Sequence, residues 1–285
     1  MEKELKAKPL IRELYQELAE KTAGYARKPL LTVLILGEDP AAEFYIANIE
    51  KKGKKAGIDT AIKRMSIDTK QDELISILKE LNSDPLVNAI MVQKPLPPHI
   101  DDNLIAAAIN PQKDVDGFNP VNLGKMLLET DSLLPSTPAA VMEMIRYYGI
   151  ELSSKHTVLC GRSHIVGKPL LNLLINKQQP GNATVTVCHS RTKDLAVHTL
   201  RADILITAMG IARFIKSEMV RDGVIILDVG TNEIIEEGKT SYTGDVDYEA
   251  CYAKAAAITP VPGGIGSVTT AMLLKNVVKA YEWQQ

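Results

Sequence analysis

Cysteine is scarce in this chain: among 285 residues there are only Cys160, Cys188 and Cys251. The number is odd and no two are spaced C-x-x-C, which argues against a disulfide framework and a zinc site. The five histidines, His99, His156, His164, His189 and His198, show no ligand spacing, so no metal is expected. Cys160 and Cys188 lie in β-branched apolar runs, where a thiol acts as a small buried hydrophobe. The expected compartment is a reducing cytoplasm. An excess of one charge is also missing, because 33 Lys+Arg face 35 Asp+Glu, a formal net charge of -2. Such a surface lacks the broad basic field that holds nucleic acid or an anionic membrane. No apolar run reaches the roughly 18 residues of a membrane span, and Met1-Glu2-Lys3-Glu4 leads into no apolar signal segment. Neither nucleic acid nor membrane is an expected partner.

What is present is globular: 45% hydrophobic and 24% charged residues in a length that suits two domains. Short apolar runs alternate with longer amphipathic stretches. Leu30–Leu36 (LLTVLIL) reads as a buried strand, Ala41 to Ala56 as a helix stopped by Gly57, and Asp59–Ser66 as a weaker strand. Asp68 and Thr69 suit the cap of a helix from about Gln71 to Leu81, and Asn88–Gln93 reads as a strand stopped by prolines. A helix near Asp101–Ile109 precedes a charged, turn-rich loop, Asn110–Pro120. The second half has strands at His156–Cys160, Ala183–Cys188, Asp203–Ala208 and Val224–Val229, with helices between them. This alternation predicts an α/β protein with two parallel sheets, divided near the Thr137–Tyr148 helix.

Strand His156–Cys160 runs into Gly161-Arg162-Ser163-His164-Ile165-Val166-Gly167-Lys168-Pro169 and then an apolar helix. Gly161 gives the chain room to leave the strand, Gly167 allows close approach, and the helix start offers N–H groups to an anion. An ordinary strand-to-helix turn would have the same spacing. The end of the next strand adds weight. An NAD enzyme usually carries Asp or Glu there, whereas this chain has Ser190 and Arg191, with Arg162 in reach. Hydroxyl plus guanidinium suits a 2′-phosphate, which favours NADP over NAD. Ala208 and Gly210, then Gly230 and Thr231, end the two following strands, and small residues there leave room for a cofactor.

Several long motifs now coincide. Val92-Gln93-Lys94-Pro95-Leu96-Pro97, Pro111–Phe118 with its Asp-Val-Asp-Gly run, Gly161–Pro169, Ala183–Thr192, Gly244-Asp245-Val246 and Ile258–Gly266 occur in one order. In these the chain resembles the bifunctional methylenetetrahydrofolate dehydrogenase/methenyltetrahydrofolate cyclohydrolase family over essentially its full length. The resemblance implies two α/β domains flanking a cleft. A folate-binding catalytic domain would span 1–136, and a Rossmann-type NAD(P)-binding domain 137–266. The C-terminal helix, 267–285, would return to the first. It also implies a homodimer and oxidation of 5,10-methylenetetrahydrofolate by NADP+ to the methenyl cation, which most members then hydrolyse to 10-formyltetrahydrofolate. Cofactor contacts would come from Gly161, Arg162, Ser163, Ile165, Val166, Gly167, Ser190, Arg191, Ala208, Gly210, Gly230 and Thr231. Tyr45 would stack on the folate. Gln93 would hydrogen-bond a neighbouring catalytic side chain, and Asp116 would accept from the pterin's N–H and amino groups. Val92, Ile49 and Lys94 would line the substrate, and Pro262-Gly263-Gly264 would let backbone approach it.

One departure matters most. The family helix reads Tyr-x-x-x-Lys, one turn apart on one face, and that lysine serves the hydrolytic half. Four residues after Tyr45 this chain has Ile49, and Gly57-Ile58 fixes the alignment. Isoleucine neither donates nor carries charge. Lys51 points about 200° and Lys52 about 300° around the helix from Ile49, so only Lys52 approaches the same side. Lys94 stands where leucine is common. The expectation is a dehydrogenase with cyclohydrolase activity weak or absent. The alternatives are a full bifunctional enzyme rescued by Lys94 or Lys52, a non-catalytic folate-binding homologue, or a different reduced pterin as carrier. Further departures are Ser136 for cysteine, Ala140 for glycine, Thr231 for an aliphatic residue, and Ser267-Val268 for a Pro-Met pair.

Overall fold

The structure is a computed structural model that describes residues 2–236 and 239–285. Its chain order begins α1 (Ala7–Ala23), β1 (Leu30–Leu36), α2 (Pro40–Lys55), β2 (Asp59–Met65), α3 (Gln71–Ser83) and β3 (Ala89–Val92). Next come α4 (Asp102–Ala108), α5 (Pro120–Leu127) and α6 (Ser136–Tyr147). The remainder is β4 (His156–Cys160), α7 (Gly167–Ile175), β5 (Thr184–Cys188), α8 (Leu195–Thr199), β6 (Ile204–Thr207), β7 (Ile225–Asp228), β8 (Asn232–Glu236), β9 (Lys239–Thr243), α9 (Tyr248–Tyr252), β10 (Ala257–Ile258) and α10 (Ile265–Trp283). Contacts divide the chain into two units, residues 12–136 with 270–285, and residues 1–11 with 137–269.

The unit of residues 12–136 and 270–285 holds a parallel sheet in the order β2-β1-β3. β1 is apolar at nearly every position because it is central and covered on both faces, whereas β2 at the edge alternates between half-buried and exposed residues. Gly57 ends α2 at φ +69°, with the Ile58 N–H returning to the Gly53 carbonyl at 2.9 Å. The cap of α3 differs from the sequence expectation: the cap position is Lys70, and no side chain bonds there. Asp101 does cap α4, accepting from the N–H groups of Asn103 and Leu104. Helix α5 lies beyond the charged loop and is capped by Asn119. The later part of α10 belongs to this unit, where Asn276 donates to the Val115 and Leu134 carbonyls, both at 2.8 Å.

The unit of residues 1–11 and 137–269 holds a five-stranded parallel sheet, β10-β7-β6-β4-β5, of Rossmann type, with the β8–β9 hairpin beside it in sequence. Residues 1–11, read from sequence as part of the first domain, group here instead. The cause is a backbone pairing in which the Leu5 N–H donates to the Ile258 carbonyl at 2.9 Å and the Ile258 N–H to Lys3 at 2.8 Å. Among the described residues no helix is long and apolar enough to cross a membrane, and no group of three or more His, Cys, Asp or Glu could hold a metal ion. All three cysteines are buried and free.

Candidate functional site

In the five-stranded sheet, strand order reverses between β4 and β6: the chain moves outward from β4 to β5, then returns across β4 to β6. Ligands of open parallel sheets bind outside the carboxyl ends of strands at such a reversal. A cavity of about 350 Å³ opens there, lined by Gly161, Arg162, Ser163, Ser190 and Ala208 together with Cys160, Cys188, His189, Thr192, Leu195, Met209, Ile211 and Phe214. Gly161 has φ +139°, and a Cβ on it would overlap the Ala208 carbonyl. The Ala208 N–H donates to Cys160 at 2.8 Å and the Gly161 N–H to Cys188 at 2.9 Å, so three strand ends are tied around this glycine. Gly167 lies directly under the loop, where a Cβ would overlap Gly161 backbone. Ser163 Oγ accepts from the N–H groups of Val166 and Gly167 at 3.2 and 3.3 Å, which shapes the start of α7.

Of the residues expected at the nucleotide, Ile165, Val166, Gly167, Arg191, Gly210 and Gly230 do not line this cavity. Arg191 is exposed beside Ser190, and neither Arg162 nor Arg191 has a side-chain partner among the described residues. Thr231 lies instead in a smaller cavity of about 230 Å³ with Tyr242 and the Pro262-Gly263-Gly264 turn. Glycine keeps side-chain bulk out of that turn, with Gly263 at φ +104°.

Two buried carboxylates organise these loops, and both were missed from sequence as site residues. Asp245 accepts the backbone N–H groups of Met209, Gly210 and Ile211 at 2.5, 3.3 and 2.9 Å. Asp228 accepts from Thr207 Oγ1 and from the N–H groups of Gly230, Asp245 and Val246, at 2.9 to 3.1 Å. Burial, with the nearby Asp245 charge, pushes the Asp228 carboxyl up to about 6. The signal lay in the Gly244-Asp245-Val246 motif, where Gly244 packs against the Asp228 carboxylate with no room for a Cβ.

The three-stranded sheet has its own reversal, between β1 and β3. Gln93 follows β3 there, its N–H donating to the Leu34 carbonyl at 2.8 Å. Its Nε2 donates to the Lys94 carbonyl at 2.8 Å, while its Oε1 is buried with no partner among the described residues. Asp116 is half-buried. Burial and the neighbouring Asp114 carboxylate raise its carboxyl to about 7, against the opposing field of Lys94. Tyr45 on α2 is half-buried, hydrogen-bonded with the Thr270 side chain, and its hydroxyl is pushed well above the usual phenol range by burial and by Asp116. Val92 is 3% exposed in the core, so only its backbone is available to a ligand. Ile49 is 0% exposed, packed with Val33, Ile35, Ile46 and Met91. Lys94 Nζ lies 3.4 Å from Asp102 Oδ2 and 5.6 Å from the Phe118 ring centroid. Lys52 is half-buried, and desolvation lowers its pKa.

Residues 5–116 match the tetrahydrofolate dehydrogenase/cyclohydrolase catalytic domain, and residues 135–285 match the NAD(P)-binding domain of the same family. A bifunctional protein FolD from Chlorobium luteolum is 47% identical over 287 residues, covering 99% of this chain and 94% of that protein. The crystal structure of the bifunctional FolD dehydrogenase/cyclohydrolase from Campylobacter jejuni superposes with a TM-score of 0.93 at 40% identity, covering 99% of each chain. The Trypanosoma brucei dehydrogenase-cyclohydrolase, solved with NADP cofactor and an inhibitor, gives 0.91 at 33% identity, covering 98% of this chain and 96% of that one.

Proposed function

Because the chain belongs to the tetrahydrofolate dehydrogenase/cyclohydrolase family, we propose that it oxidises 5,10-methylenetetrahydrofolate with NADP+ and has weak or no cyclohydrolase activity. The cofactor residues fit an NADP molecule. Gly161 leaves a cradle that any Cβ would fill, and Arg162, Ser163 and Ser190 line the same cavity. Arg162 and Arg191, both unpaired, with the Ser190 hydroxyl, suit a 2′-phosphate better than a bare ribose. Bound NADP+ supplies a two-electron acceptor for the hydride. On the folate side, the Asp116 carboxylate would accept from the pterin's N–H and amino groups, the Tyr45 ring would stack on the substrate, and Gln93 would orient it.

Hydride loss from the methylene carbon breaks one C–H bond as a ring nitrogen's lone pair forms C=N, and no protein group has to move a proton. Orientation and proximity are what the residues must provide. Hydrolysis differs, because water must be positioned and its proton removed as the ring opens. The observation that carries this reading is the apolar burial of Ile49, four residues after Tyr45 on α2, in the cluster that holds Val33, Ile46 and Met91. A lysine at position 49 would place a cation there, and isoleucine places none. Lys94 is engaged by Asp102 and Phe118, and Lys52 starts almost one turn further along α2. Steady-state assays with methylenetetrahydrofolate and either nucleotide test the cofactor part. NADP+ is expected to exceed NAD+ in kcat/KM by about tenfold or more, the effect of one good charge-assisted contact. Equal values would remove the arginine argument, and no turnover with either would remove the dehydrogenase reading.

A further inference from the structure

We propose that Lys94 is the positioning residue of the folate site, its ammonium joining the strand end that carries Gln93 to the turn that carries Asp116 and acting as that turn's counter-charge. The inference rests on the folate reading above. The turn is anchored to β3 by the Ile90 N–H, which donates to the Lys113 carbonyl at 2.7 Å, and by a parallel bridge between Ile90 and Asp114. Just after that bridge the chain turns, with the Gly117 N–H donating to the Asp114 carbonyl at 3.2 Å, so Asp116 sits in a turn held against the end of β3. Beyond the turn, the Phe118 ring centroid lies 5.6 Å from the Lys94 ammonium. Asp102, the first residue of α4, holds the same ammonium at 3.4 Å, and the Lys94 carbonyl accepts from Gln93 Nε2 at 2.8 Å. One residue thus touches α4, the Asp116 turn and the Gln93 amide.

Charge gives the contact a consequence. Asp116 is faced by Asp114 on its own turn, by Tyr45 on α2 and by Lys94. Asp114 is buried and kept in place by the Asn119 N–H at 2.7 Å and Asn122 Nδ2 at 3.1 Å. The Asp114 carboxylate opposes the ionisation of Asp116, and the Lys94 cation favours the ionised form of both. A protonated Asp116 would present an O–H to donors on the pterin, so folate binding requires the ionised form that Lys94 favours. Position 49, where the family's lysine stands, carries no charge in this chain. Lys94 therefore supplies the site's positive field without supplying the hydrolytic group.

The test is the pH dependence of kcat/KM for 5,10-methylenetetrahydrofolate at saturating NADP+, in the full-length wild type, Lys94→Met, Lys94→Gln and Lys94→Arg. Without the ammonium, the acid limb is expected to move to higher pH by about one unit, the size of one neighbouring-charge effect. The folate KM at pH 7 should rise several-fold while the NADP+ KM stays unchanged, and Lys94→Arg should keep the wild-type limb. A purely structural contact would lower activity at every pH without moving the limb, and that result in either neutral variant overturns the proposal. Wild-type enzyme that turns over no folate at any pH would sink the functional reading itself, and this inference with it.

Discussion

Replacing Gly161 by alanine is expected to raise the dissociation constant for NADPH about a hundredfold or more, a loss of about 3 kcal/mol. Two independent effects act at this residue. Its φ of +139° is a conformation that L side chains rarely adopt, and the new methyl would overlap the Ala208 carbonyl. Neither partner can retreat, because Ala208 is hydrogen-bonded to Cys160 and Gly161 to Cys188 across adjacent strand ends. Relief would come from pushing the β4 and β6 ends apart, which reshapes the cavity where the cofactor's phosphates are proposed to lie. Titration of NADPH, followed by the fluorescence of the bound nicotinamide, measures the effect. A dissociation constant within twofold of wild type would show that the glycine is an ordinary turn residue.

Asp116→Asn should move two quantities in opposite directions. The amide accepts with one oxygen only and carries no charge, so kcat/KM for the folate should fall about 30- to 100-fold at pH 8, the usual cost of a lost charge-assisted pair. Stability should rise. The Asp116 carboxyl titrates near 7 in the fold, raised by burial and Asp114 from an ordinary value of 3.8. Between those values the unfolded chain has released its proton while the folded one still holds it. Folding is therefore progressively disfavoured as pH rises through this window, and the penalty is constant above it. The variant escapes that penalty. Its thermal midpoint should match wild type at pH 4 and exceed it by several degrees at pH 8, for a gain of about 1–3 kcal/mol. Melting curves at the two pH values provide the check. A variant that is less stable at pH 8 would mean that Asp116 is held ionised by contacts stronger than its surroundings imply.

The elements that could be read from sequence were those whose pattern leaves one physical solution. A run such as LLTVLIL has to be covered on both faces, and a strand running into Gly161 with a second glycine at Gly167 has to turn tightly into a helix. Element β8 was not legible, because Asn232–Glu236 puts charges at both ends of its short apolar pair. Helix α5 follows a run of turn formers that reads as loop, and its start is marked by Pro120 as its first residue and by Asn119 accepting from the Val121 N–H. In sequence Asp228 ends the Val224–Val229 strand and Asp245 stands in the Gly244-Asp245-Val246 motif, and neither position says what the carboxylate binds. They become organisers only once the fold brings backbone N–H groups to them from residues more than ten positions away. Ile49 was legible as a missing lysine. The unpartnered Gln93 Oε1 was not, because a hydrogen-bond vacancy exists only in three dimensions.

The proposed separation of the oxidative from the hydrolytic half by Ile49 is read directly from product formation. Purified protein mixed with 5,10-methylenetetrahydrofolate and NADP+ should be followed at the separate absorbances of NADPH and of methenyltetrahydrofolate. The two should rise together, with the methenyl form then decaying only at its spontaneous rate. NADPH that rises while methenyltetrahydrofolate never accumulates would contradict it, and would mean that another group in this chain delivers the water.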